Sequence, residues 1–458
     1  MIVRPNWSKY RNEYFASVAA TLSVFMVVTT NAWSSPALVK LQSEDSPFPV
    51  TLDEGSWVVA IQAIGAVLGP IVAGLSVDRI GRKVTLLGTI IPIIAGWVLV
   101  GVGDTVAYLY AARFMFGVSY GTAYSVSPIY LGEITSDTIR GSAGTLITVL
   151  AKMGYLAVYC VGPYVEYRTL AWLGMVGPAL FVFCFIWMPE SPIHLLAKNN
   201  DEAAQKSLSW LRRSSTVVDE LATLKVSVQQ SQKERGTIME LFSPVYRKNI
   251  GITVMLVFGM QMTGMLVILG YAQTIFEKIS TDLTSAEMSI VLGVVQMVAA
   301  IFPAVLVDRM GRRPLMLIST FGTTLGLATC SIYFAVDEIN GASELGWIAF
   351  TSLLVYIVSY NLGLSTVSFS IISEIFPKNI RAYATAAFVM LGAVIVFGLA
   401  KLFQVTLDEV GPWLPFAIFG CCGAIACVLI YLYIPETKGK SLDEIQVILA
   451  GKHSKHQY

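Results

Sequence analysis

Long stretches without a single ionised side chain set the first limit on what this chain can fold into. Gly55–Val77, Val84–Gly103, Met288–Val307 and Pro314–Val336 contain no Asp, Glu, Lys or Arg, and Ile250–Phe276 and Leu345–Ser373 are longer still. About 20 apolar residues at 1.5 Å rise cross a ~30 Å hydrocarbon layer, and at such lengths only helices satisfy their own backbone in lipid. Composition agrees: 55% of the 458 residues are hydrophobic and 13% charged, against about 25% charged in a soluble domain. The pattern predicts an all-α membrane protein whose partner is the lipid bilayer.

Twelve spans are expected, near 14–37, 56–77, 84–103, 107–131, 143–164, 170–189, 249–276, 286–307, 314–336, 346–373, 382–406 and 412–434. The first follows a polar, basic start without a cleavage pattern, so it reads as a transmembrane helix rather than a signal peptide. Glu190 to Lys248 is hydrophilic, and segments such as "DEAAQKSLSWLRR" have the spacing of short amphipathic surface helices. The expected organisation is a six-helix bundle over 1–189, a linker over 190–248, a second bundle over 249–436 and a tail over 437–458. Lys and Arg collect on one side: Arg4, Lys9, Arg11, Arg79, Arg82, Lys83, Arg140, the linker, Arg309, Arg312, Arg313, Lys378, Arg381 and the tail. The positive-inside rule then puts both termini and the linker in the cytoplasm, where the glycosylation pattern at Asn6 would be idle.

Several function classes are excluded by residue type and spacing. The net charge of +1 and the lack of basic clusters with interleaved aromatics argue against nucleic acid. His194, His453 and His456 form no metal-ligand spacing, and "IPETKGKS" has Ile434 where a phosphate-binding loop needs glycine, so neither an enzyme nor a cofactor is expected. All six cysteines fall inside expected spans, which makes a disulfide framework improbable.

The charged turns recur in order. "VDRIGRK" at Val77–Lys83 returns as "VDRMGRR" at Val307–Arg313; "EITSDTIRG" from Glu133 returns as "EIFPKNIRA" from Glu374; "PESP" from Pro189 returns as "PET" from Pro435. Three echoes in register mean a duplicated six-helix unit, a transporter architecture.

These residues carry a family resemblance. "DRIGRK", "GEITSDTIRGSAGT", "PESPIHLLA", "DRMGRR", "SEIFPKNIRA" and "PETKGKSLDEI", in that order around twelve spans, resemble the sugar porter branch of the major facilitator superfamily from about Tyr14 to Ile445. "WSSPAL", from Trp33, is most similar to insect trehalose-transporter-type members. The resemblance implies two pseudo-symmetric six-helix bundles, a monomeric carrier in the plasma membrane and a small sugar as cargo. It also implies a gating role for Asp78, Arg79, Arg82, Glu133, Arg140 and Glu190, and for Asp308, Arg309, Arg312, Glu374, Arg381 and Glu436. The same charges can instead only fix topology and anchor the turns.

Sugar porters hold their substrate near the midplane with amides, hydroxyls and an aromatic face. Matched residue by residue, the family's amide set is thinned here. Gln261 and Gln296 remain, while Met260 and Leu266 replace a glutamine and an asparagine. Thr148 stands where glutamine is usual, Asn361 and Phe369 keep an amide and an aromatic in the tenth span, and Gly392 and Ala393 replace Asn and Trp. Trp33 completes the expected binding set. The hydroxyl-rich tenth span either compensates or bonds to its own helix. Lys152 lies near the midplane of the fifth span with no midplane acid to pair with; it snorkels, stays neutral, or meets cargo. Lys401 is expected to snorkel towards the outer interface. Tyr14–Ala37 contains no acidic residue, whereas proton-driven relatives place one in the first span, so facilitated diffusion is expected. The alternatives are a non-transporting sugar sensor and an organic-anion carrier.

Overall fold

The computed structural model describes residues 7–44, 46, 48–233, 236–341, 345–377, 379–440 and 444, without the side chains of 7–9, 231, 304, 305, 308 and 373. Arg4, Asn6, Lys378, the Asp308 side chain and the tail beyond Lys440, apart from Glu444, therefore lie outside the described residues.

Every regular element among the described residues is helical, and ten helices are long and apolar enough to cross a membrane. Their outward faces are greasy: Ile91, Phe183 and Trp187 are each at least 74% exposed. Large apolar side chains turned outward on this scale suit a lipid surround rather than water. The chain is thus a multi-pass helical membrane protein.

Two compact units are formed, one from Met1–Asn31, Gly65–Ala157 and Val165–Arg235, the other from Ala32–Ile64, Val158–Tyr164 and Gly236–Tyr458. In the first, the helix Leu52–Ile80 meets Val106–Ile134 through small residues. A Cβ on Gly65 would lie 2.2 Å from the Phe114 carbonyl oxygen, and one on Gly121 2.4 Å from that of Ala66. Backbones approach this closely only where side chains are missing, the usual device for packing helices in lipid. The second unit repeats the tactic less tightly, with Gly326 against the Ser352 carbonyl of the helix Gly346–Leu362.

Both duplicated turns are built on glycine. Leu52–Ile80 and Phe302–Met310 stop at Gly81 (φ 98°) and Gly311 (φ 93°), and the next helices start at Arg82 and Arg312. An L side chain rarely adopts such a φ.

Several helices break in their interiors. Trp7–Ala32 gives way to Ser34–Leu41, Ser285–Ala299 to Phe302–Met310, Gly346–Leu362 to Leu364–Ile375, and Arg247–Gln261 to Met265–Gly270. The last break turns at Gly264. Its freed carbonyls are taken by tyrosines of Gly346–Leu362: Tyr356 donates to Thr263 O at 3.0 Å and Tyr360 to Met260 O at 3.2 Å. Discontinuous helices satisfied by their neighbours expose polar backbone at membrane depth, where carriers bind cargo.

The linker forms Pro192–Ala197, Asp201–Arg212 and Val218–Lys233. The Ser191 and Asn200 side chains accept the amides of His194 and Ala203, capping the first two. Leu196, Ala204 and Val228 make a small core of their own.

Candidate functional site

At the basic end of the first unit the duplicated charges close into a network. Glu190 Oε1 accepts the backbone N–H of Arg82 at 3.0 Å, and Glu190 Oε2 that of Lys83 at 3.1 Å. The carboxylate thus caps the start of the helix opened by the glycine turn, where free N–H groups attract an anion. Arg82 Nη2 meets Glu133 Oε1 at 2.8 Å, and its Nη1 lies 3.5 Å from Asp78 Oδ1. Ser191 Oγ donates to Glu133 Oε2. Arg82 Nη1 also lies 2.9 Å from His194 Nδ1. Because guanidinium only donates, that ring nitrogen accepts and the imidazole is neutral. Burial, and then the Arg82 charge, hold the His194 pKa below its ordinary value.

The second unit reproduces this almost atom for atom. Glu436 accepts the N–H groups of Arg312 at 3.0 Å and Arg313 at 3.1 Å. Arg312 Nη2 meets Glu374 Oε1 at 3.1 Å, and Thr437 Oγ1 donates to Glu374 Oε2. Partial burial works to raise the Glu436 carboxyl, but the backbone amides of Lys438, Arg312, Arg313 and Thr437 outweigh it and hold its pKa low. Lys83 and Arg313 complete the correspondence by donating to the carbonyls of Ile186 and Tyr431.

Not every expected charge joins these networks. Arg79 and Arg309 are exposed. Arg140 is half exposed and pairs with Asp137 one turn away at 2.8 Å, while Arg381 caps the Phe376 carbonyl at 3.2 Å. Arg140 thus serves its own turn rather than Glu133, and Arg381, though it feels the Glu374 charge, spends its hydrogen bonds on its own turn. In place of Arg140, the first unit has an ion pair that the sequence did not suggest: Arg212 of the linker meets the fully buried Glu13 at 3.0 Å. Arg212 also donates to Ile134 O, and Glu13 accepts the Ser136 amide at 2.7 Å. In the second unit Asn249 donates to the matching carbonyl, Ile375 O, at 2.7 Å.

The expected binding residues divide by whether their polar atoms are already used. Gln296 is 0% exposed, and neither amide atom has a hydrogen-bond partner. Asn361 spends its NH2 on Ile357 O at 2.8 Å and leaves its buried Oδ1 unpartnered. Gln261 rests against Gly392: a Cβ there would come within 2.7 Å of the Gln261 amide nitrogen. The residue that replaces the family's asparagine therefore makes room for the surviving glutamine. Phe369 packs edge-on against Phe388 at 4.9 Å. Of the two readings of the hydroxyl run, the structure favours self-satisfaction. Ser365 and Ser368 donate to carbonyls one turn back, and Ser370 to Glu374.

On the other helices, Trp33 is fully buried at the break in the first helix. Thr148, Lys152, Tyr155 and Tyr159 share a stripe of Arg140–Val161, turned from the exposed Met153 and Ala157. Lys152 therefore faces inward rather than into lipid. Tyr155 donates to Asn31 at 3.0 Å, and Tyr120 and Tyr124 pack with tilted rings, centroids 4.6 Å apart. Arg113 is buried and donates to Thr30 O at 2.5 Å, a structural use. Lys401 does not simply snorkel: its ammonium lies 2.6 Å from both Asp53 Oδ1 and Ser56 Oγ.

Broken helices with unpaired interior amides, behind charged turns written twice, define a membrane carrier rather than an enzyme. The family model for the sugar (and other) transporter matches residues 15–449, and this chain belongs to that family. It is 30% identical over 447 residues to the facilitated trehalose transporter Tret1 of Apis mellifera ligustica, covering 97% of this chain and 89% of that one. Identity is 32% to the Tret1-2 homolog of Drosophila sechellia, over 96% and 92% of the two chains. Among solved structures, the fold is similar to the proton:xylose symporter XylE bound to 6-bromo-6-deoxy-D-glucose (TM-score 0.78, 23% identity, 96% of this chain and all of that one). A partially occluded inward-open XylE from E. coli superposes with TM-score 0.80 at 23% identity, over 94% of this chain and all of that one.

Proposed function

We propose that this transporter carries a small neutral sugar down its gradient by alternating access, with a non-reducing disaccharide of the trehalose type as the first cargo to test. The observation that carries this reading is Gln296, a fully buried carboxamide with both polar atoms unsatisfied. A buried unpaired amide costs about 1–3 kcal/mol, and a polyhydroxylated ligand is the partner that repays it. Asn361 Oδ1 and the Gln261 amide add acceptors and donors of the same type, and Phe369 adds an apolar face for a pyranose ring. Trp33, Thr148 and Lys152 belong to the same proposed set.

The proposed chain path has twelve crossings: the ten long apolar helices together with Val106–Ile134 and the broken pair Ser285–Ala299 and Phe302–Met310. The proposed bundles are 1–189 and 249–436, with the linker 190–248, the tail 437–458 and both termini in the cytoplasm and the monomer working in the plasma membrane. The charge networks around Glu133, Glu190, Glu374 and Glu436 then form the cytoplasmic latches. Uniport is supported by the first span, which has no acid between Tyr14 and Ala37, and by Glu13, whose carboxylate is committed to Arg212 and the Ser136 amide.

Uptake by purified protein in liposomes tests the proposal, with a panel of mono- and disaccharides and with and without a pH gradient. The reading requires saturable uptake of at least one sugar, unchanged by the pH gradient. Uptake only of organic anions, or only under a proton gradient, rejects it.

A further inference from the structure

Lys401 sits on Arg381–Glu409, and its ammonium is enclosed by one short stretch at the start of Leu52–Ile80. Nζ donates to Asp53 Oδ1 and to Ser56 Oγ, each at 2.6 Å, and lies 4.5 Å from the centroid of the Trp57 ring. Ser56 spends its own proton on the Asp53 carbonyl at 2.6 Å, so its lone pairs face the ammonium. One turn before Lys401, Phe397 packs on the same indole with centroids 6.1 Å apart. The cage therefore supplies a carboxylate, a hydroxyl acceptor and a π face, which together occupy an ammonium's three donors.

Burial is graded across this cage. Ser56 is 1% exposed and the Lys401 side chain 23%, while the Asp53 carboxylate is 74% exposed. Charge pairing here is open to water, the Ser56 hydroxyl is not, and Trp57 is half-buried. The networks at Arg82 and Arg312 each use residues of a single copy of the duplicated unit. By contrast, Asp53 belongs to the first copy and Lys401 to the second, at the end opposite the basic turns. A bond that spans the two copies survives only while those helix ends stay together.

We propose that Lys401 is the outer latch of the transport cycle: its cage of Asp53, Ser56 and Trp57 holds the extracellular end shut and must be vacated for sugar to enter from outside. The inference rests on the alternating-access reading. A partly exposed ion pair with a cation–π contact biases such an equilibrium by a few-fold rather than many orders of magnitude.

The test reads opening without sugar. Ser34 is fully buried just before the outer end of the first span. Its Ser34→Cys variant is exposed to a membrane-impermeant maleimide, against a background lacking that cysteine. Lys401→Met is expected to label about three- to fivefold faster. Asp53→Asn should do nearly the same, and the double variant should be no faster than the faster single. The charge swap Asp53→Lys with Lys401→Asp should return the rate towards that of the parent. A rate unchanged in both single variants, or effects that multiply in the double, overturns the latch. Should Lys401→Met fail to reach the membrane, Asp53→Asn and the swap make the same comparison. A parent protein that is never labelled, even during sugar exchange, would instead reject alternating access itself.

Discussion

Arg82 Nη2 and Glu133 Oε1 lie 2.8 Å apart, with both side chains mostly buried. Removing one partner of such a pair leaves the other charge desolvated, at a cost of roughly 3 kcal/mol. Arg82→Gln and Glu133→Gln should each lower sugar uptake per surface molecule several-fold, and the double variant should be little worse than either. Arg140→Gln should cost less, because Arg140 is exposed and paired only with Asp137. Uptake normalised to surface abundance checks the ranking.

Gly81 and Gly311 should be intolerant of any side chain. A Cβ on Gly81 would lie 2.3 Å from Glu190 Oε2, and one on Gly311 2.7 Å from Glu436 Oε2, in addition to the strain of φ near +95°. Gly81→Ala is expected to destabilise the protein by about 1–3 kcal/mol. A lower unfolding temperature in detergent, for either alanine variant, is the readout.

Gln261 depends on the space above Gly392. Gly392→Ala displaces the amide by its flexible end, so stability should barely change. Its contribution to sugar binding, about 1 kcal/mol for a neutral hydrogen bond, should be lost. The expected result is an apparent KM raised roughly fivefold with the maximal rate nearly kept. Gln296→Ala should raise KM at least as much, while removing the cost of its unpaired atoms and so leaving thermal stability equal or higher.

The first charge network should weaken in acid through His194. Its pKa is depressed in the fold by burial and by Arg82, so the neutral imidazole is the favoured form there. The associated stability is fully present above the ordinary histidine value of 6.5 and is lost as pH falls through the lower folded value. The unfolding temperature of the native protein should therefore fall more steeply than that of His194→Gln as the pH is lowered from 6.5 towards the folded value. Parallel curves would contradict the assignment.

The parts legible in the sequence were those written in local or repeated form. Uncharged blocks announced the membrane helices, and the doubled "DRxGR" turn announced both glycine hinges and the arginines that follow them. "PESP" and "PET" placed Glu190 and Glu436 beside those turns. Partner choice was not legible, since it depends on which groups a helix end leaves free. Arg140 looked like a partner of Glu133 but pairs with Asp137 in its own turn, and Arg381 directs its hydrogen bonds to the Phe376 carbonyl. Glu13 and Arg212, joined across the linker, share no motif. Lys401 read as a snorkelling lysine because nothing in its neighbourhood reveals Asp53 and Trp57, far back in the chain. The hydroxyl run around Ser365 suggested a sugar site, but short side chains in a helix reach their own carbonyls first. The unpaired state of Gln296 is likewise a property of packing and not of sequence.

Counterflow in liposomes tests the central claim most directly. Vesicles containing the purified protein are loaded with unlabelled trehalose, diluted, and given a trace of labelled trehalose outside. A carrier that alternates access accumulates label transiently above its equilibrium level, with no ion gradient present, and loses this overshoot in Gln296→Ala at low sugar. The account predicts that overshoot for trehalose or, failing it, for another sugar of the panel. No overshoot for any sugar, from protein that binds sugar and is folded, would contradict it and leave a sensor in its place.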